Sequence, residues 1–144
     1  MSTANVRKTT WSYVLDEPTR VLVVDDDPIL LEFASVYLSS PSATIATARD
    51  GQAAFDLLMA EPFDIAILDI EMPILDGFGL LEKIRSESAL NLLPVMMLTG
   101  HEDIASIDRA FNLGANAFAL KPVNWRLLSY QIRYIARQDR RDES

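Results

Sequence analysis

Three consecutive aspartates, Asp25, Asp26 and Asp27, follow directly after the apolar run Val21–Val24. Like charges held together at the end of a buried strand repel one another unless a cation binds among them. Carboxylate oxygens are the ligands that Mg²⁺ prefers, and Mg²⁺ keeps some of its waters when carboxylates hold it. The triplet therefore predicts a site for a divalent metal. A phosphoryl group is the ligand that we expect next to this metal.

Asp69, Thr99 and Lys121 each follow directly after a later run of apolar, β-prone residues. A carboxylate can act as a nucleophile and form an aspartyl phosphate. A hydroxyl and an ammonium beside it can hold phosphoryl oxygens, and the ammonium and a metal neutralise their charge. Together these residue types indicate phosphoryl transfer to an aspartate.

Five apolar runs alternate with segments of helical periodicity, which predicts five βα units. Such alternation is typical of a parallel sheet covered by helices on both faces. Because the carboxyl ends of parallel strands share one edge of the sheet, we expect the polar residues above to converge there. The runs are Val21–Val24, Thr44–Thr47, Ile65–Leu68, Pro94–Leu98 and Ala117–Leu120.

Helix start signals follow four of these runs, and Pro122 follows the fifth as the predicted start of the last helix. In the first helix, apolar residues at helical spacing form one face, and Gly114 is predicted to end the fourth helix. The start signals are Asp27 with Pro28, Asp50, Asp76 or Gly77, and His101–Asp103; the first helix's apolar face is Ile29, Phe33, Val36 and Tyr37.

The length of 144 residues fits one domain, and the net charge of −8 argues against nucleic-acid binding through the whole surface. The absence of Cys excludes disulfides, thiolate metal sites and Cys nucleophiles, and His101 is the only His. The sequence shows neither a signal peptide nor an apolar run long enough to span a membrane, so we expect a cytoplasmic protein.

The chain divides into residues 1–19, a predicted flexible extension; residues 20–138, the domain; and residues 139–144, a polar tail. The apolar content of the extension is concentrated in Trp11, Tyr13, Val14 and Leu15, which leaves one short docked segment open as an alternative.

Four segments at the predicted strand ends resemble the receiver domain of bacterial two-component response regulators, and the resemblance covers residues 20–138. It implies a flavodoxin-like (βα)5 three-layer sandwich with a five-stranded parallel sheet of order 2-1-3-4-5. The protein would then be a phosphoacceptor switch and not an enzyme, apart from its own phosphorylation and slow self-dephosphorylation. The matching segments are Val21–Asp27, Leu68–Gly77, Met97–Gly100 and Leu120–Pro122.

The resemblance assigns Asp69 as the phosphoacceptor. It implies that Asp26, Asp69 and the backbone carbonyl of Glu71 ligate Mg²⁺ directly, whereas Asp25 acts through a metal-bound water. Asp27 is better explained as a helix N-cap. The implied partners are a sensor histidine kinase or histidine phosphotransfer protein, and a downstream protein or a second copy bound through the last two helices. Direct contact with nucleic acid or membrane is not expected.

On the same resemblance, Lys121 pairs with the phosphoryl group, contacting Asp69 when no phosphoryl is present, and Thr99 hydrogen-bonds a phosphoryl oxygen on activation. The bond between Lys121 and Pro122 is expected to be cis. Phe118 corresponds to an aromatic residue that swings inward on activation, although a packed core Phe is an equal alternative.

Two further positions resemble those that tune the lifetime of the phosphoryl group by controlling water access, namely Glu71 and His101. The stretch Gly114–Phe118 lacks the acidic pair of many DNA-binding regulators, which places their form of dimer in doubt. The last helix is long, and its arginines are either a solvated face or a contact surface.

Two other functions compete with this interpretation. An aspartate-nucleophile phosphatase of the haloacid dehalogenase type would use Asp69, Thr99 and Lys121 similarly, but it leaves the acidic cluster after the first strand unexplained. A pseudo-receiver that only binds proteins would be expected to lack Asp26, Asp69 or Lys121, and all three are present. The absence of a Gly-rich loop after the first strand excludes a P-loop protein.

Overall fold

The computed structural model describes residues 18–100 and 103–143, with the side chains of the last helix described as far as Arg137. In this part of the chain five strands form one parallel sheet of order β2-β1-β3-β4-β5, as the resemblance implied. The strands are β1 (Thr19–Val24), β2 (Ala43–Ala48), β3 (Ile65–Asp69), β4 (Val95–Thr99) and β5 (Ala117–Leu120), and the helices are α1 (Pro28–Leu38), α2 (Gly51–Ala60), α3 (Gly77–Ser86), α4 (Ile104–Asn112) and α5 (Trp125–Glu143).

Two apolar layers flank the sheet because successive side chains of a strand point to opposite faces. In β1, Val21 and Val23 pack against α1 and α5, whereas Leu22 and Val24 pack in the layer formed with α2, α3 and α4. The three central strands are almost fully buried, which explains their continuous apolar sequences.

The register of the strands brings their carboxyl ends together. Val24 of β1 pairs with Leu68 of β3, Asp69 pairs with Leu98 of β4, and Thr99 pairs with Leu120 of β5. Residues that are far apart in sequence therefore meet at one edge of the sheet.

Aspartate side chains cap the first four helices, as predicted. Asp27 accepts a hydrogen bond from the amide of Ile29, and the other three accept from the residue three positions later. The three are Asp50, Asp76 and Asp103. Gly114 has a φ of 102° directly after the last turn of α4, which is the left-handed conformation that commonly ends a helix.

The predicted start of the last helix at Pro122 is wrong. The helix α5 begins at Trp125, where the side chain of Asn124 accepts a hydrogen bond of 3.0 Å from the amide of Leu127. Pro122 instead lies in the turn that follows β5. At its other end α5 runs to Glu143, so its backbone includes most of the range 139–144 that the sequence set apart as a tail.

The apolar face of α1 that the sequence singled out is the exposed one. The helix packs Leu31, Ala34 and Leu38 against the sheet, because α1 is apolar on two sides and its periodicity alone does not decide which side is covered. The exposed side includes Tyr37, whose ring stacks on that of Trp125 with centroids 5.9 Å apart. That side consists of Ile29, Phe33, Val36 and Tyr37.

Among the helices of the described residues, none combines the length and apolarity needed to cross a bilayer.

Candidate phosphoacceptor site

Asp69 ends β3 at the carboxyl edge of the sheet, with 4% of its surface exposed. The first residue of α3 packs closely against the backbone of Asp69 and Ile70. The amide of Gly77 donates to the carbonyl of Ile70 at 2.9 Å, and a Cβ at Gly77 would collide with the carbonyl oxygen of Asp69. The start of α3 therefore fixes the position of Asp69.

Lys121 joins the two buried carboxylates. Its Nζ lies 2.8 Å from Oδ2 of Asp25 and 3.2 Å from Oδ1 of Asp69. Asp25 is fully buried, and its Oδ1 accepts a 2.9 Å hydrogen bond from the amide of Asp27. Both oxygens of Asp25 are thus engaged by the protein, and the ammonium lies where it can meet a group attached to Asp69.

The acidic cluster fits a divalent cation. Asp25, Asp26 and Asp69 each offer one carboxylate oxygen, and these three oxygens lie within 4.8 Å of one another. An all-oxygen set suits a hard cation such as Mg²⁺. Asp26 is exposed whereas the other two are buried, so the cluster opens to solvent on the side of Asp26.

Burial, reinforced by the negative charge of Asp25, raises the pKa of Asp69 from 3.8 to about 6, although Lys121 opposes the change. Burial alone would lower the pKa of Lys121, but its hydrogen bonds and charge interactions with Asp25 and Asp69 raise the pKa above its usual value. The cluster therefore carries more negative charge than one ammonium neutralises, which favours the binding of a cation.

The remaining predicted residues lie around this cluster. Thr99 is buried at the end of β4, and Glu71 is exposed two residues after Asp69. Phe118 is half-buried and packs against the core layer formed with α2, α3 and α4. His101 lies outside the described residues. The bond between Lys121 and Pro122 is cis, as expected.

Sequence reasoning missed two features that position the site. One is Gly77, whose lack of a side chain permits α3 to start against the backbone of Asp69. The Asp-Gly pair at residues 76–77 predicts a helix start and belongs to a receiver-like segment, but it does not by itself indicate this close contact. The other is the amide of Asp27, which orients Asp25.

Comparison with known proteins agrees with this geometry. Residues 21–133, most of the chain, match the response regulator receiver domain family. The chain belongs to this family. Among curated relatives, a probable transcriptional regulator ycf27 of Guillardia theta is 36% identical over 124 residues, which is 86% of this chain and 48% of that protein. The heme response regulator HssR of Staphylococcus aureus is 34% identical over 117 residues, 81% of this chain and 51% of that protein.

Solved receiver structures show the same fold. A CheY-like receiver domain protein from Methanospirillum hungatei superposes with a TM-score of 0.81 at 27% identity, covering 88% of this chain and 99% of that one. The chemotaxis protein CheY4 of Vibrio cholerae gives a TM-score of 0.78 at 27% identity, covering 82% and 98%.

Membership of the receiver family has direct consequences. Phosphorylation and Mg²⁺ binding are typical of receiver domains, response regulators partner with histidine kinases, and receiver domains are generally not true enzymes. The haloacid dehalogenase alternative is thereby set aside. The chain spans about half the length of the curated relatives it matches.

Proposed function

We propose that this receiver domain is the phosphoacceptor switch of a two-component phosphorelay, with Asp69 as the residue that is phosphorylated. The donor is a phosphohistidine on a sensor histidine kinase or a histidine phosphotransfer protein. The observation that carries the proposal is the contact of one ammonium, on Lys121, with both Asp69 and Asp25 at the carboxyl edge of the sheet.

In the reaction, a carboxylate oxygen of Asp69 attacks the phosphorus of the phosphohistidine. A P–O bond forms, the P–N bond breaks, and the imidazole leaves with the electron pair and takes up a proton. Lys121 neutralises charge on the transferred oxygens, and the Thr99 hydroxyl donates to one of them. Because Lys121 is held by Asp25 in the structure, it is already in place before the donor arrives.

The residues that would hold Mg²⁺ are Asp26 and Asp69 as direct ligands, the backbone carbonyl of Glu71, and Asp25 through a water. A bound Mg²⁺ supplies further positive charge to the phosphoryl oxygens. Asp26 is the natural direct ligand because it is exposed, whereas both oxygens of Asp25 are already engaged.

The output is a change in partner binding or oligomeric state. Thr99 moves toward the phosphoryl group, Phe118 repacks, and the face formed by α4, β5 and α5 changes. These three elements carry several exposed apolar side chains, which suit a contact surface. They are Ile104, Phe111, Leu120, Leu127, Tyr130 and Tyr134. Glu71 and His101 are the proposed tuning residues for phosphoryl lifetime.

Intact mass spectrometry tests the proposal. Incubation with a small phosphodonor and Mg²⁺ is expected to add the mass of one phosphoryl group to the wild-type chain and none to Asp69→Ala. A wild-type chain that gains no mass would favour the pseudo-receiver, and an unchanged gain in Asp69→Ala would place the phosphoryl group elsewhere.

A further inference from the structure

A groove of about 540 Å³ lies at the amino end of the sheet, opposite the phosphoacceptor site. It is lined by residues 58–64 and 88–94, the segments that lead into β3 and β4, and we call it the amino-end groove. Its volume is in the range of sites that bind ligands or side chains. Much of its lining is apolar, with Leu92 85% exposed and Met59 47% exposed. The phosphoacceptor function uses none of these residues.

Arg20, the second residue of β1, attaches the start of the sheet to one wall of the groove. Its Nη1 donates to the carbonyl of Pro62 at 2.8 Å, its Nη2 lies 2.9 Å from Oε1 of Glu61, and its guanidinium lies 4.6 Å from the ring centroid of Phe63. All three partners line the groove. The chain that precedes β1 therefore leaves the sheet beside the groove.

Seventeen residues precede Pro18 in the sequence, and their apolar content is concentrated in Trp11, Tyr13, Val14 and Leu15. We propose that residues 11–15 occupy the amino-end groove of the same chain. At about 3.3 Å per extended residue, Leu15 can lie up to about 10 Å and Trp11 up to about 23 Å from Pro18. Both distances permit contact with a groove whose wall is bound by Arg20.

We assign the groove to the chain's own segment for two reasons: a short tether holds the segment near the groove, and the segment is rich in aromatic side chains. A short tether gives an effective concentration on the order of millimolar, which a second copy at ordinary protein concentrations does not match. Aromatic side chains each bury roughly 150–250 Å² on docking, and Trp11 and Tyr13 would cover the exposed apolar surface of Leu92 and Met59.

Disulfide trapping tests the proposal on the full chain, which has no native Cys to interfere. Ser12→Cys lies between the two aromatic residues and is combined with Ala60→Cys, an exposed position that lines the groove. The matched control combines Ser12→Cys with Ala53→Cys, which is also exposed on α2 and lies two turns, about 10 Å, farther from the groove.

We expect a disulfide within one chain to form rapidly with Ala60→Cys and slowly with Ala53→Cys. Replacing Trp11 and Tyr13 by Ser in the Ala60→Cys chain keeps the tether length but removes the docking groups. It should slow disulfide formation at least about tenfold, because burial of an aromatic side chain changes an equilibrium constant by more than that factor. If replacing Trp11 and Tyr13 leaves the rate unchanged, the segment is tethered but not docked, and the proposal fails. Equal rates with Ala60→Cys and Ala53→Cys would also overturn it, as would a disulfide between two chains.

Discussion

Replacement of Asp69 by Asn should stabilise the metal-free protein, and by more at neutral than at acidic pH. The physical reason is that the folded protein holds the Asp69 carboxylate in a buried position beside Asp25. The pKa of Asp69 rises from 3.8 to about 6 on folding. At about 1.4 kcal/mol per pKa unit, ionisation of Asp69 at neutral pH destabilises the fold by about 3 kcal/mol.

Proton linkage gives the direction of this pH dependence. Because its pKa is raised in the folded state, the folded protein binds more protons than the unfolded chain between about pH 4 and pH 6. The contribution of Asp69 to stability is fully present below the unfolded pKa and is lost as the pH rises through about 6. Asn does not ionise, so the stability of Asp69→Asn minus that of wild type should grow by about 1.4 kcal/mol between pH 5 and pH 7.5.

Urea unfolding of both proteins in EDTA, at pH 5 and pH 7.5, measures this difference. Comparing the two proteins at each pH cancels the titration of the carboxylates they share. Addition of Mg²⁺ supplies a second check, because a cation that binds ionised Asp69 should stabilise wild type more than Asp69→Asn. A stability difference that is the same at both pH values, or smaller at pH 7.5, would show that folding does not raise the pKa of Asp69.

Three further predictions concern the metal and the scaffold. Asp26→Asn should remove most of the rise in melting temperature that Mg²⁺ gives the wild type, as thermal unfolding with and without Mg²⁺ would show; an equal rise would exclude Asp26 as a ligand. Gly77→Ala should destabilise the fold by about 1–3 kcal/mol in urea unfolding and slow phosphorylation by a small phosphodonor, because its Cβ meets the carbonyl oxygen of Asp69. Arg85→Lys should cost about 1–3 kcal/mol in the same unfolding assay, because Lys keeps the charge but not the two guanidinium hydrogen bonds to the carbonyl of Gly114; no loss would show that the charge alone suffices.

The sequence was sufficient to predict the strands and the convergence of Asp25, Asp69 and Lys121, because parallel strands necessarily place their carboxyl ends at one edge. It did not predict which side of α1 is covered, since that helix is apolar on two sides and only the sheet decides. Nor did it show that Lys121 contacts Asp25 at 2.8 Å, closer than the 3.2 Å to Asp69. Such contacts depend on how far a side chain reaches across the edge, which spacing in sequence does not encode.

Identification of the phosphorylated residue is the most direct test of whether Asp69 is the phosphoacceptor. An aspartyl phosphate is an acyl phosphate, so borohydride reduces it to homoserine and marks its position for peptide mass spectrometry. After treatment with a small phosphodonor and Mg²⁺, we expect homoserine at position 69 alone. Homoserine at position 25 or 26, or a phosphoryl group that resists borohydride, would contradict this assignment.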